Sequence, residues 1–128
     1  MSKVIYTPNA PEAIGPYSQA IVTGSLVITS GQIPINPASG AVDAQTIEEQ
    51  TEQVCKNLAA VLEAAGASFE SVVKTTCFLK NMEDFAQFNG VYSKYFVSKP
   101  ARSCVAVKEL PKNVLVEVEA IAEISALK

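Results

Sequence analysis

The sequence predicts an α+β fold in which one mixed β-sheet carries two α-helices packed on a single face. Two amphipathic helical patterns alternate along the chain with short runs rich in β-branched residues. Every second residue of the last run is apolar, which indicates a strand with one buried face. The chain has 128 residues, and 48% of them are hydrophobic, so we expect residues 1–128 to form one domain with its own core.

The first part of the chain predicts three short strands and one long loop. Lys3–Tyr6 is a candidate first strand, and Thr7–Pro16 is a loop because it holds three prolines and a glycine. Tyr17–Val22 and Leu26–Ser30 are rich in β-forming residues. The tripeptide Thr23-Gly24-Ser25 between them predicts a hairpin.

The strongest helix signal covers Thr46–Ala65. Thr46 and Glu49 have the spacing of a capping box, and Gly66 stands where a C-terminal cap belongs. The next segment, Ser71–Lys80, alternates in polarity and predicts a strand. The apolar residues of the helix fall on one face, namely Ile47, Val54, Leu58, Val61, Leu62 and Ala65.

A second helix is predicted from Asn81 onwards, because large apolar side chains recur there at helical spacing. Asn89 falls on the same stripe, and an amide in that place needs hydrogen-bond partners. It is either a satisfied packing amide or a ligand contact. The stripe consists of Phe85, Phe88, Tyr92, Tyr95 and Phe96.

The last part of the chain predicts two strands, Arg102–Val107 and Val114–Ile124, joined by a turn around Pro111. The even-numbered residues of the final strand are apolar, and its odd-numbered residues include three glutamates. We expect the helices to cover the even face. The other face would carry Arg102, Cys104 and these glutamates. A sheet face of such mixed character predicts contact with another subunit.

The composition disfavours several classes of function. The sequence has no histidine, which excludes Ser-His-Asp and Cys-His nucleophile activation and removes the commonest transition-metal ligand. The net charge is −3 and there is no run of Lys or Arg, so nucleic-acid binding is not expected. Any chemistry must then be mild and use carboxylate, guanidinium, hydroxyl, amide, thiol or backbone groups.

The sequence also carries signals about the cellular compartment. The N-terminal residues lack the apolar segment of a secretory signal, and no apolar run approaches the ~20 residues that cross a bilayer. We therefore expect a soluble, cytoplasmic protein. Cys55, Cys77 and Cys104 are odd in number and widely spaced, so we expect reduced and mostly buried thiols rather than disulfides or a metal pair.

One group of residues stands out as a candidate site. Arg102 and Cys104 are two positions apart in a strand, so both point to the same face. The predicted hairpin places Glu117 on the strand beside Arg102. The two form either a structural salt bridge or a functional pair, in which the guanidinium grips a substrate carboxylate and the glutamate holds a water. Cys104 has no histidine to deprotonate it, so a lining role is favoured over a nucleophilic one.

Two further positions have a structural and a functional interpretation. Tyr17 follows a Gly-Pro turn, which either packs the ring at an interface or presents it to a ligand. Ser30-Gly31 ends a strand, where the residues serve either as plain turn formers or as backbone N–H donors to a ligand.

Five segments give the chain a resemblance to the RidA (YjgF) family of reactive-intermediate deaminases. IGPYSQA, SGQIP and PARSCV are the most specific of the motifs inside them, and the resemblance runs over essentially the whole chain. The segments are APEAIGPYSQA (10–20), TSGQIPINPASG (29–40), EAAGASFESVVKTTCFLKNMEDFAQFN (63–89), PARSCVAVKELP (100–111) and VEVEAIA (116–122).

The resemblance implies a fold like that of trimeric chorismate mutase. Three subunits would pack their sheets around a central barrel, with an active site in each cleft between neighbours. The implied activity is hydrolysis of 2-enamine and 2-imine acids, such as 2-aminoacrylate and 2-aminocrotonate, to 2-oxo acids and ammonia. These intermediates leak from pyridoxal-phosphate dehydratases, and the reaction uses no cofactor or metal.

The resemblance also implies roles for individual residues. Arg102 matches the arginine that binds the substrate carboxylate, Glu117 the glutamate that positions the attacking water, and Cys104 a position whose backbone carbonyl faces the substrate. The segment YFVSKPAR is shorter than the usual family loop beside the cleft, which bears on substrate range. Residues that match the lining of the cleft are Tyr17, Ser30, Gly31, Phe85 and Asn89.

Two other functions compete with the deaminase. The first is a non-catalytic trimeric binding module for 2-oxo acids or similar carboxylates, which needs Arg102 but not Glu117. The second is a ribonuclease or chaperone-like role, and the acidic composition and the lack of histidine weigh against a general ribonuclease.

Overall fold

The computed structural model describes residues 2–124 and contains eight main elements. The predicted turn at Pro111 forms a 3₁₀ turn over Pro111–Asn113, and two more 3₁₀ turns cover Phe69–Ser71 and Met82–Asp84. The strands and helices are β1 (Ser2–Ile5), β2 (Ala20–Thr23), β3 (Leu26–Thr29), α1 (Ile47–Ala64), β4 (Val72–Leu79), α2 (Phe85–Tyr95), β5 (Ala101–Ala106) and β6 (Val116–Glu123).

The α+β prediction is confirmed. The strands form one mixed sheet in the order β1-β2-β3-β6-β4-β5, in which only β4 and β5 are parallel. Helices α1 and α2 pack against each other and on one face of this sheet. The even-numbered residues of β6 from Val116 to Ala122 are buried beneath them, as the alternation predicts.

Helix α1 has the ends that its sequence predicts. The Thr46 side chain accepts a hydrogen bond from the Glu49 N–H, and the Glu49 carboxylate accepts one from the Thr46 N–H, which completes the capping box. Gly66 adopts a positive φ of 83°, the conformation that ends a helix at low cost only in glycine. The cap residues thus fix the length of the helix.

Two predicted boundaries differ from the structure. The second helix was predicted from Asn81, but its first turn is the 3₁₀ turn Met82–Asp84, and the α-helix begins at Phe85. Strand β2 begins at Ala20 instead of Tyr17, because the preceding residues belong to a loop fastened by side-chain hydrogen bonds.

The predicted hairpin between the last two strands is wrong. Strand β5 pairs in parallel with β4 because helix α2 carries the chain back to the same end of the sheet. Strand β6 then pairs with β3 and with the opposite edge of β4. Strand β4 therefore lies between the strands of Arg102 and Glu117.

The face of the sheet away from the helices carries an uncovered apolar row. Val4, Ile21, Ile28 and Ile121 are successive cross-strand partners on β1, β2, β3 and β6. Val4 is 63% exposed and Ile28 is 42% exposed, although both are large and apolar. Within residues 2–124, neither helix is long and apolar enough to cross a bilayer.

Candidate active site

One half of the predicted site is a groove of about 970 Å³. Tyr17, Ser30, Gly31 and Glu117 all line it. The groove runs between the N-terminal loop, the 30–40 segment and strand β6. The structure therefore brings together four of the eight predicted site residues.

Gly31 and Glu117 are in close contact at the centre of the groove. A Cβ atom on Gly31 would overlap the Glu117 carboxylate, so only glycine leaves this space free. Gln32 fixes the contact, because its backbone N–H donates to the Val118 carbonyl at 2.8 Å and its carbonyl accepts from the Val118 N–H at 3.2 Å. The close approach of the Glu117 side chain, rather than an unusual backbone φ angle, explains why position 31 is a glycine.

The Glu117 carboxyl is half-buried, and its surroundings favour the protonated form. Burial raises its pKa above the ordinary value, and the negative charge of Glu119 raises it further. A carboxyl with a raised pKa exchanges protons nearer to neutral pH, which suits a general acid or base.

Gln19 is a buried residue that sequence reasoning missed. Its side-chain Oε1 accepts from the Thr7 N–H at 2.7 Å, and its Nε2 donates to the Pro11 carbonyl at 2.9 Å. Its backbone carbonyl accepts from the Ser30 N–H at 2.9 Å. Gln19 thus joins the N-terminal loop, which carries Tyr17, to the strand end at Ser30. The sequence feature that could have indicated this role is a glutamine that stands among prolines and small residues.

The other half of the predicted site lies on helix α2 and strand β5, beside a second pocket of about 500 Å³. Arg102 donates from Nη1 to Oδ1 of Asn89 at 2.8 Å. Its guanidinium carbon lies 5.4 Å from the centre of the Phe85 ring and 4.8 Å from that of Tyr92. Asn89 is therefore a partner of the arginine, and Tyr92, predicted only as an apolar packing residue, belongs to its surroundings.

Cys104 lies on the same face of β5 as Arg102 and beside Cys77 on the neighbouring strand. Burial raises the pKa of the Cys104 thiol, and the smaller opposite effects of Arg102 and Cys77 do not reverse this. A thiol held in its protonated form is a poor nucleophile. The surroundings of Cys104 therefore agree with a lining role. Cys55 and Cys77 are buried free thiols, as predicted.

The face predicted for Arg102 and Cys104 is wrong. Arg102 pairs with the buried Thr75 and contacts the rings of α2, so it lies on the helix side at the edge of the sheet. Glu117 alternates with buried residues that point to the helices, so it lies on the opposite face. From strand spacing, the two Cα atoms are roughly 14 Å apart, because they are two strands apart across the sheet and three residues apart along it.

The structure thus divides the predicted site residues into two separate groups, here termed half-sites. The Glu117 half-site consists of Tyr17, Ser30, Gly31 and Glu117, and the Arg102 half-site consists of Phe85, Asn89, Arg102 and Cys104. Among residues 2–124, no group of three or more Cys, Asp or Glu side chains is arranged to hold a metal ion.

Comparison with known proteins gives consistent matches over almost the whole chain. The family model described as Endoribonuclease L-PSP matches residues 7–124. A Salmonella typhimurium protein named 2-iminobutanoate/2-iminopropanoate deaminase is 52% identical over 126 residues, covering 95% of this chain and 98% of that protein.

Solved structures agree with the sequence comparison. A Yersinia pestis member of the conserved Rid protein family superposes with a TM-score of 0.94 at 50% identity, covering 97% of this chain and all of that one. The Escherichia coli protein TdcF, solved with bound serine, gives a TM-score of 0.91 at 44% identity over 96% of this chain and 99% of its own. The chain therefore belongs to the endoribonuclease L-PSP family, which is also called the RidA or YjgF family.

Proposed function

We propose that the chain is a 2-iminobutanoate/2-iminopropanoate deaminase, which hydrolyses 2-imino acids to 2-oxo acids and ammonia at a site completed by two copies of the chain. The observation that carries the proposal is the separation of the two half-sites. The Cα atoms of Arg102 and Glu117 are roughly 14 Å apart and their side chains leave opposite faces of the sheet, so one small imino acid cannot contact both groups within a single copy. The names of close relatives support the same reaction.

Arg102 binds the carboxylate of the imino acid. The hydrogen bond to Asn89 uses one of its five N–H donors, which leaves a pair for the two carboxylate oxygens. The edge position of β5 keeps the guanidinium partly exposed and therefore open to a ligand. The carboxylate thus fixes the imine carbon, which is its direct neighbour, in one place.

Glu117 of another copy holds the attacking water. An enamine first tautomerises to the imine, whose protonated form has an electrophilic carbon. The water oxygen adds to this carbon while Glu117 takes a proton, giving a carbinolamine. Glu117 then returns the proton to nitrogen, the C–N bond breaks with loss of ammonia, and the carbonyl forms as the hydroxyl gives its proton back to the Glu117 carboxylate. No oxidant, metal or cofactor is consumed.

A homotrimer is the assembly that we propose. The row of Val4, Ile21, Ile28 and Ile121 exposes apolar surface to solvent in a single copy. The same apolar face of another copy can bury it. Packing three sheets around a common axis brings the Glu117 half-site of one copy to the Arg102 half-site of the next. The trimer and the cytoplasmic location remain predictions.

The proposed role in the cell is removal of reactive enamines and imines released by pyridoxal-phosphate dehydratases that act on serine and threonine. The test is a threonine dehydratase assay in which 2-oxobutanoate formation is followed with and without the protein. Addition of the protein should accelerate its appearance. Absence of acceleration, combined with measurable binding of 2-oxobutanoate, would support the binding module instead.

Arg102→Ala is the first informative variant. Loss of the charge partner of the bound carboxylate costs roughly 2 kcal/mol or more, so kcat/KM should fall by about 30-fold or more. Arg102→Lys keeps the charge without the planar fork and should retain only part of the activity. Full activity in a folded Arg102→Ala protein would remove the assigned role. RNA cleavage that persists in this variant after thorough purification would instead favour a ribonuclease.

A further inference from the structure

The guanidinium of Arg102 is held by three residues on one face of helix α2. Phe85, Asn89 and Tyr92 follow each other at spacings of four and three, so their side chains line up along the helix. The two rings lie 5.4 and 4.8 Å from the guanidinium carbon, and the amide oxygen lies 2.8 Å from Nη1. The helix therefore limits the directions in which the guanidinium can turn.

The nearer ring is itself fastened to the sheet. The Tyr92 hydroxyl shares a hydrogen bond of 2.7 Å with Oγ1 of Thr75, and both residues are buried. Thr75 is the direct neighbour of Arg102 in the parallel pairing of β4 and β5. Thr75, Tyr92 and Arg102 therefore all contact one another. Thr75 is hydrogen-bonded to Tyr92, the Tyr92 ring lies against Arg102, and Arg102 pairs with Thr75 across the two strands.

We propose that Tyr92 and Thr75 are positioning residues, which orient Arg102 toward the carboxylate of the substrate. An arginine side chain loses rotamer entropy when a ligand fixes it, and part of this loss is taken before binding if the side chain is already held. The Asn89 oxygen takes one N–H donor and the Tyr92 ring covers one face of the guanidinium, so the other donors stay available for a carboxylate. The proposal rests on the proposed function in taking a carboxylate as the ligand of Arg102.

A purely structural role makes a different prediction. Tyr92 also stacks on Phe96 at 4.2 Å between ring centres, so its loss could lower stability without any effect on Arg102. Removing the Thr75 hydroxyl leaves the Tyr92 hydroxyl without a hydrogen bond, and removing the Tyr92 hydroxyl leaves Thr75 only a weak contact from the Cys77 thiol at 3.9 Å, whereas removing both is closer to neutral for folding. A double variant therefore separates stability from orientation.

The test compares Thr75→Val, Tyr92→Phe and the double variant with wild type. Binding of 2-oxobutanoate is measured by calorimetry, stability by urea unfolding, and turnover in the coupled assay. Loss of this preorganisation should weaken binding about fivefold, which is equivalent to about 1 kcal/mol. We expect the Kd and the KM to rise about fivefold in all three variants, with kcat within about twofold of wild type.

The double variant distinguishes the positioning role from a purely structural one. Its stability should return toward that of wild type while its Kd stays raised, because the ring is no longer tethered to the strand. Tyr95→Phe is the matched control, since that hydroxyl donates to Glu52 on α1 and does not contact Arg102. Recovery of both stability and affinity in the double variant, or an unchanged Kd in the single variants, would overturn the proposal.

The outcome is distinguishable from a failure of the proposed function. Turnover in wild type with an unchanged Kd across the variants rejects the positioning role and leaves the deaminase in place. The expected pattern of Kd values without any turnover rejects the deaminase and leaves the positioning role. If wild type does not bind 2-oxobutanoate at all, Arg102 does not bind this carboxylate and the positioning role is rejected as well.

Discussion

At the scale of single residues, Glu117 shows how a site residue acts against stability. Its pKa is raised in the folded protein, so the folded state binds a proton more tightly than the unfolded chain does. Stability therefore falls as the pH rises through the range from the ordinary glutamate pKa to the raised one. At neutral pH the ionised carboxyl makes folding less favourable, so packing does not explain its place in the groove, whereas the proposed proton transfer does.

Glu117→Gln should consequently raise the melting temperature and abolish most of the activity. The neutral amide removes the cost of burying a charge, and loss of the proton-transfer group should lower kcat/KM by about 10²-fold or more. Thermal unfolding at pH 7.5 and again below the ordinary glutamate pKa measures the first effect, which should disappear at the lower pH. Glu123→Gln, at the exposed end of the same strand, should change neither property.

Gly31→Ala tests the close approach to Glu117. The added Cβ meets the end of a flexible side chain, so the carboxylate moves while the backbone stays in place. Because a shift of about 1 Å in a catalytic group can cost 10²-fold, kcat/KM should fall on the order of 10²-fold with little change in unfolding free energy. Gly90→Ala is the matched control, since a Cβ there meets no atom within 4 Å. That variant should keep its activity and gain about 0.5–1 kcal/mol of stability from the better helix former.

At the scale of elements, local patterns were sufficient for most of the fold. The capping box at Thr46, the glycine at position 66 and the alternation in β6 are short-range signals, and all three are confirmed. The partner of a strand is a long-range property that such signals do not contain. Two successive strands usually pair, so Arg102 and Glu117 were predicted side by side, whereas β6 pairs with β3 and β4 instead.

The same limit applied to the candidate site. Arg102 and Cys104 were correctly assigned to one face by their spacing, but which face that was depends on the place of β5 in the sheet. Strand β5 is an edge strand beside α2, so its inward face meets aromatic rings of that helix instead of a closed core. The polar connections of Gln19 and the tether of Tyr92 need coordinates, because each joins residues that are distant in the sequence.

At the scale of the whole molecule, the proposed composite site makes catalysis depend on the assembly of copies. If each site takes Arg102 from one copy and Glu117 from the next, two inactive variants should restore each other. Arg102→Ala and Glu117→Gln subunits carrying different affinity tags are expressed together, and tandem purification keeps only the mixed assemblies. Native mass spectrometry then gives their composition.

The activity level of the mixed assembly distinguishes a trimer from a dimer. In a ring of three, every mixed trimer has one junction where an intact Arg102 faces an intact Glu117, whichever variant is in excess. The mixed trimers should therefore show about a third of the wild-type activity, whereas a two-fold dimer would show about a half. Verified mixed assemblies without activity would mean that the groups do not meet across subunits, and the proposed composite site would then be wrong. Because each parent variant lacks one half-site in every copy, recovered turnover can come only from a junction between copies.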